Sequence, residues 1–325
     1  MWSRNYLERL TDSMLGSALV GVLATSGLGL ALTILSTELL KTYGAALFVA
    51  TPFCLGVFSA LVFGRREPRA LPECIAVGTL AVLMASVVLI AFALEGAICI
   101  VMALPLTIAL GTGGALAGWA IQRTYRSLRA EAMSAVILVL PLLMGAESAA
   151  RPEPPLRAVT TSVVVDAPPA VVWRNVVAVA ELPPPRELVF RLGIAYPTRA
   201  VISGTGKGAV RRCRFSTGDF VEPITVWKPG RRLEFDVVAQ PAPMRELSPW
   251  GDIHPPHLDG FLRSERGRFV LVPLPRDRTL LRGTTWYRNR MWPQPYWGTL
   301  GDALIHRIHE RVLRHIVQLS EVETH

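Results

Sequence analysis

Four stretches of the chain, roughly residues 14–36, 43–63, 74–93 and 96–121, run for twenty residues or more with hardly a charge. A helix needs about 20 apolar residues to cross the hydrocarbon core of a bilayer. In lipid, every backbone N–H and C=O must be satisfied within the segment, so such stretches are read as membrane-spanning helices. A fifth stretch, 132–146, is shorter and carries Pro141. With it, residues 1–150 are expected to form a transmembrane bundle of about five helices. Small residues four apart, Gly114 with Gly118 and Ser17 with Gly21, are expected to let helices approach closely. Charges are nearly absent from the span centres, which argues against a transporter or pump and for an anchor or scaffold.

Basic residues in short loops stay on the cytoplasmic side. Arg4 and Arg9 precede the first span, Arg65, Arg66 and Arg69 follow the second, and Arg123, Arg126 and Arg129 follow the fourth. The other loops hold Lys41 and Glu95. The alternation places the N-terminus inside and, with five spans, the rest of the chain outside an inner membrane of bacterial type. With four spans, the C-terminal domain would be cytoplasmic. Arg123–Arg129, the fifth apolar run and the small residues of Ala146–Ala150 also have the layout of an export signal.

The prolines of 151–157, a segment beginning RPEPP, make a stiff extended spacer. Beyond it the pattern changes to short strands and turns, and 158–325 is expected to be a separate α+β domain. Residues 1–150 hold 9 Lys+Arg and 8 Asp+Glu, whereas 151–325 hold 25 and 17. The excess positive charge suits an anionic bilayer surface. The arginines form no run or stripe, so nucleic acid is not expected as a partner. The four cysteines show no C-x-x-C spacing, so no zinc, redox or disulfide framework is indicated, and neither a metal nor a cofactor is expected.

Two turns fix a strand register. A turn at Thr217-Gly218 sets Phe215 opposite Phe220 and Cys213 opposite Glu222. A turn at Pro229-Gly230 sets Val226 opposite Leu233, Ile224 opposite Phe235 and Glu222 opposite Val237. Both give one apolar face of Cys213, Phe215, Phe220, Glu222, Ile224, Val226, Leu233, Phe235 and Val237. Arg212, Arg214, Thr225, Arg232, Glu234 and Asp236 take the other face. The long stretch 240–262, with His254 and His257, reads as a lid or binding loop. At the C-terminus, Leu304, Ile305, Ile308, Val312, Ile316 and Leu319 form one helical stripe, with Arg307, Glu310, Arg311 and Arg314 on the other side. Thr299 or Asp302 is the expected cap. Such a helix needs an apolar sheet face to cover.

Several segments resemble the START-like, or SRPBCC, superfamily of polyketide cyclases, lipid-transfer domains and allergen-like carriers. They are Val163–Trp173 (VVVDAPPAVVW), Phe215–Glu222 (FSTGDFVE), Trp227–Leu233 (WKPGRRL) and Leu304–His309 (LIHRIH). The resemblance covers about residues 158–320. It implies a helix-grip domain, with an antiparallel sheet curved around the long C-terminal helix and an apolar cavity between them.

The ligand cavity is then expected to be lined by Cys213, Phe215, Phe220, Glu222, Ile224, Phe235, Val237, Ile305, Ile308 and Val312, and to hold a lipid or another hydrophobic small molecule. Glu222, a carboxylate on an apolar face near Arg211, is either a polar anchor, an acid/base group, or half of a structural ion pair. His257 is a second acid/base candidate. Asp302, His306 and His309 share a helix face at metal-ligand spacing, but Arg307 and Arg311 would repel a cation. Trp292, Tyr296 and Trp297 read as membrane-proximal aromatics or as packing. Gly204–Gly208 (GTGKG) joins two strands and lacks the spacing and helix of a phosphate loop. No nucleophile motif occurs. A binding domain is therefore favoured over a cyclase or hydrolase, and over an interaction domain with a vestigial pocket.

Overall fold

The computed structural model describes residues 13–124, 126–150 and 152–324. Arg4, Arg9 and Arg151 lie outside the described residues. The chain divides into two units. Unit one is Met1–Pro152 with Glu246–Pro256 and Met291–Pro293; unit two is Glu153–Arg245, His257–Arg290 and Gln294–His325.

Among its described residues, unit one contains five helices long and apolar enough to cross a membrane. They are α1 (Met14–Ile34), α2 (Thr51–Phe63), α3 (Leu71–Ala91), α4 (Ala97–Ile121) and α5 (Arg126–Ala150). π-helical turns extend α1 through Leu35–Leu39 and precede α2 at Ala46–Ala50. Gly114 supports the closest approach: a Cβ there would overlap the backbone carbonyl of Phe53, so only glycine lets α4 lie against α2. The fifth helix is longer than the run 132–146. Pro141 lies inside it, and Val136, Leu140 and Met144 pack with Leu32, Ala46 and Phe58.

Two polar clamps mark the ends of this bundle. At one end, the Gln122 side chain accepts from the Arg69 N–H at 2.8 Å and donates to the Ala60 carbonyl at 2.5 Å, and Arg129 donates to the Gln122 carbonyl. At the other, Glu147 of α5 accepts from the Ala46 N–H at 3.0 Å. The same end holds the α3–α4 turn, where Glu246 accepts from the Ile98 and Cys99 N–H groups at 3.1 and 3.2 Å. A carboxylate is favoured there, because a helix N-terminus presents unpaired N–H groups and a positive dipole end. The Trp250 indole donates to the Ala91 carbonyl at 2.9 Å. Residues 246–256 thus belong with the helices, although in sequence they interrupt the second domain.

Unit two is built on a seven-stranded antiparallel sheet, in the order β1-β7-β6-β5-β4-β3-β2. The strands are β1 (Arg157–Val165), β2 (Pro197–Ser203), β3 (Val210–Phe215), β4 (Gly218–Lys228), β5 (Arg232–Asp236), β6 (Leu262–Leu274) and β7 (Arg278–Asn289). Two short helices, α6 (Pro169–Val177) and α7 (Leu188–Arg191), follow β1, and the long helix α8 (Gln294–Val322) ends the chain. The architecture is a helix grip. Leu313 and Ile316 of α8 and Val172 and Val176 of α6 close on Val165, Leu233, Leu271 and Leu281, all 3% exposed or less.

The register differs from expectation in two places. Strand β3 pairs Phe215 with Gly218, Cys213 with Phe220 and Arg211 with Glu222. The turn therefore falls at Ser216-Thr217, shifting the pairing by two. An even shift keeps each side chain on its face, so Phe215 and Phe220 still meet, with ring centroids 4.6 Å apart. Between β4 and β5, Ile224 faces Phe235 as expected, but a bulge follows it, and Trp227 rather than Val226 opposes Leu233. Three residues separate Lys228 from Arg232, the Arg231 N–H bonds the Lys228 carbonyl, and Gly230 has φ +66°. This type II geometry and its odd count of turn residues require a compensating bulge.

The cap of α8 also differs. The helix begins well before Thr299 and Asp302. Asp302 sits inside it, held by Arg157 and by the Tyr287 hydroxyl at 2.7 Å. Arg311, assigned to the solvent side, is buried. Its guanidinium donates to the carbonyls of Pro183 and Pro197.

Candidate functional site

A cavity of about 160 Å³ lies between the sheet and α8. Its walls are mostly apolar. Cys213, Phe215, Phe220 and Phe235 come from the sheet, Val237 from just beyond β5, and Ile305, Ile308 and Val312 from α8. Gly267 on β6 is needed for this shape, because a Cβ there would overlap the Phe235 ring.

Ile224 is not in the wall. It is 2% exposed and joins the core with Leu233 and Ile316, because it precedes the bulge, where the helices close on the sheet. Pro241–Met244, part of the expected binding loop, supplies one wall. Arg211, Glu222, Thr285 and His309 also line the cavity. Periodicity gave Arg211 only as a neighbour of Glu222, and it gave no sign that Thr285 faces inward.

Arg211 and Glu222 are cross-strand partners and form an ion pair, 3% and 5% exposed. The guanidinium also lies over the rings of Phe235 and Phe269, 5.3 and 5.8 Å from their centroids. Burial pushes the Glu222 carboxyl above the usual carboxylate range, against the opposing pull of Arg211. Burial likewise pushes the Cys213 thiol up to about 12, which keeps it a protonated wall group. The Arg211 Nε–H has no hydrogen-bond acceptor among the described residues. A buried donor without an acceptor costs about 1–3 kcal/mol and calls for an explanation.

On the helix side, His309 is held between two hydroxyls. Its Nε2 lies 2.7 Å from Thr285 Oγ1 and its Nδ1 lies 3.1 Å from Thr161 Oγ1, which also meets His306 Nδ1 at 2.8 Å. Burial, and to a lesser extent His306, pushes the His309 pKa down to about 4, so the ring is neutral near pH 7. The Asp302, His306 and His309 face is thus engaged by Arg157, Tyr287 and two threonines.

His257 is buried in a short 3-10 turn, Pro256–Leu258, and does not line the cavity. Tyr296 and Trp297 lie on α8 with their rings edge to face, and Trp297 is 2% exposed. Trp292 belongs to unit one, where its N–H donates to the Tyr43 carbonyl at 3.0 Å.

No family model matches the chain, and no curated protein matches it. Solved structures similar to the C-terminal half include the Zhui aromatase/cyclase from Streptomyces, at 15% identity and a TM-score of 0.32 over 52% of this chain and 93% of that one. Norcoclaurine synthase from Thalictrum flavum is similar at 12% identity and a TM-score of 0.33, over 52% and 88%. A Chromobacterium violaceum protein is similar at 16% identity and a TM-score of 0.32, over 50% and 96%.

Proposed function

We propose that the chain is a membrane-anchored carrier whose helix-grip domain binds a hydrophobic small molecule bearing one hydrogen-bond acceptor, such as a carbonyl or phenol. One observation carries this reading: among the described residues the buried Arg211 Nε–H has no hydrogen-bond acceptor, and Arg211 lines a mostly apolar cavity. A ligand oxygen would satisfy it with a charge-assisted bond. The volume, about 160 Å³, is close to that of an engineered cavity of about 150 Å³ that holds benzene. It therefore accommodates a ring-sized group.

Mass spectrometry of the full-length protein extracted in mild detergent tests the proposal. A hydrophobic compound should co-purify with the native chain and be lost from Arg211→Met/Glu222→Leu. A native chain that carries nothing beyond bulk lipid, and binds no aromatic ketone or phenol from a screened panel, would overturn it.

A second reading makes the same cavity a catalytic site, with Glu222 as general acid. The raised pKa of this carboxyl favours it. It requires Glu222→Gln to abolish turnover of an apolar substrate while the fold stays intact.

We further propose that the domain lies on the outer face of the membrane. The Arg69–Gln122–Arg129 clamp marks one end of the bundle, and the basic-loop rule makes that end cytoplasmic. Helix α5 runs from there to the opposite end, where Glu147 and the α3–α4 turn lie, so the chain leaves the bundle on the outer side.

A further inference from the structure

A chain of hydrogen bonds runs from the helix-grip cavity to the protein surface. It starts at Thr285 of β7 and His309 of α8, which both line the cavity. Thr285 Oγ1 meets His309 Nε2, and Thr161 Oγ1 of β1 joins His309 Nδ1 to His306 Nδ1. The other ring nitrogen of His306, Nε2, lies 3.4 Å from Glu310 Oε1, and the His306 side chain is 46% exposed. One imidazole thus faces the cavity, the other faces water, and a single hydroxyl lies between them.

That shared hydroxyl couples the two rings. A hydroxyl has one hydrogen to donate, and a neutral imidazole has one N–H and one bare nitrogen. Thr161 can therefore donate to only one of the two Nδ1 atoms, and the other must carry a proton. Glu310 decides which. A carboxylate repels a bare nitrogen, so neutral His306 keeps its proton on Nε2 and accepts from Thr161 on Nδ1. His309 then holds its proton on Nδ1, and its bare Nε2 accepts from Thr285. Among the described residues the Thr285 hydroxyl has no other partner, so its oxygen keeps acceptor capacity for the cavity.

When His306 gains a proton, both of its nitrogens donate. Thr161 must then turn and donate to His309, whose proton moves to Nε2 and whose bond to Thr285 reverses. The count balances: His306 gains one proton, and Thr161, His309 and Thr285 keep one each. Thr285 is left with its own hydrogen to donate. The charged and titratable groups beside this chain are Glu310 with Arg307 and Arg314 on α8, and Asp302 with Arg157 of β1 and Tyr287 of β7.

We propose that Thr285 is a second polar subsite of the cavity, accepting a hydrogen bond from a ligand O–H or N–H while His306 is neutral and donating one once His306 is protonated. This rests on the carrier reading, and gives the ligand a donor beside its acceptor.

The test uses full-length protein in nanodiscs with isotope-labelled histidine, followed by nitrogen NMR, which separates protonated from bare ring nitrogens. The His309 proton should move from Nδ1 to Nε2 as His306 becomes imidazolium. Thr161→Val, of the same shape, should hold His309 in one tautomer throughout. His306→Gln, at an exposed position, should do the same without disturbing the buried hydroxyls. Pyrrole, a donor with no acceptor, should bind the native chain roughly fivefold more weakly once His306 is protonated, about the worth of one hydrogen bond. In Thr285→Val its affinity should be the same at both pH values. Acetophenone, an acceptor with no donor, needs only Arg211, and its failure to bind would count against the carrier reading, while the nitrogen shifts still decide the subsite. The proposal is overturned if the His309 tautomer stays fixed as His306 protonates, or changes alike in Thr161→Val.

Discussion

At the scale of single residues, the buried Arg211–Glu222 pair separates a structural role from a binding role. Removing one partner of a buried ion pair strands the other charge and typically costs about 3–5 kcal/mol. Arg211→Met alone is therefore expected to lower the denaturant midpoint sharply. Replacing both partners with apolar residues of similar volume is often neutral, or stabilising by about 1–4 kcal/mol. Arg211→Met/Glu222→Leu should then melt no lower than the native chain and yet lose its ligand. A double variant that unfolds like the single one would show the pair to be structural.

His309 makes a second residue-scale prediction. Its pKa of about 4 in the folded protein lies below the roughly 6.5 of an unfolded histidine. Between those values the unfolded chain binds more protons, so stability rises with pH across that window and is fully present above about 6.5. The groups around it are His306, Thr161 and Thr285, with Glu310 bonded to His306. At about 1.4 kcal/mol per unit, the loss by pH 4 amounts to at most about 3 kcal/mol. His309→Gln should flatten this part of the denaturation profile relative to the native chain. Equal slopes in the two proteins would refute the assignment.

At the scale of elements, how much was legible depended on the kind of information each feature needs. Faces of strands follow from alternation alone, so Cys213, Phe215, Phe220, Phe235 and Val237 could be grouped before any coordinates. Their pairing depends on which two residues make the turn. Ser216-Thr217 wins over Thr217-Gly218, and the even shift hid the difference. The bulge after Ile224 reverses parity, which is why Val226 and Trp227 exchange places. What could not be read were contacts between residues far apart in sequence, such as Arg157 with Asp302, Arg311 with Pro183, or Tyr43 with Glu95. Periodicity carries no information about which distant polar group will be a partner.

The cavity wall gives this scale its own prediction. Because a Cβ at position 267 would overlap the Phe235 ring, Gly267→Val must drive that ring into the cavity. Overpacking of this kind costs about 1–3 kcal/mol. The variant is expected to fold with a reduced melting temperature and to lose the co-purifying compound. Retention of the compound at native stoichiometry would mean that it sits elsewhere.

At the scale of the whole molecule, the number of crossings decides which compartment the C-terminal domain samples. With the N-terminus inside, as proposed, four crossings would return the chain to the cytoplasmic side, and five would deliver it to the outer one. The sequence left this to a short run interrupted by Pro141, but the fifth helix has 23 residues of spanning character, Leu128–Ala150. It is also tied at its two ends to opposite ends of the bundle, through Arg129 and Glu147. A cysteine introduced at the exposed Pro155 should therefore react in intact cells with a maleimide that cannot cross the inner membrane. One at the exposed Arg66 should react only after lysis. The native thiols give little background, since Cys74, Cys99 and Cys213 are buried and Cys54 is partly so. The reverse pattern, with Arg66→Cys reactive and Pro155→Cys protected, would place the domain in the cytoplasm. The carrier would then have to load and unload there, so the labelling result also decides which pool of hydrophobic molecules should be searched for the ligand.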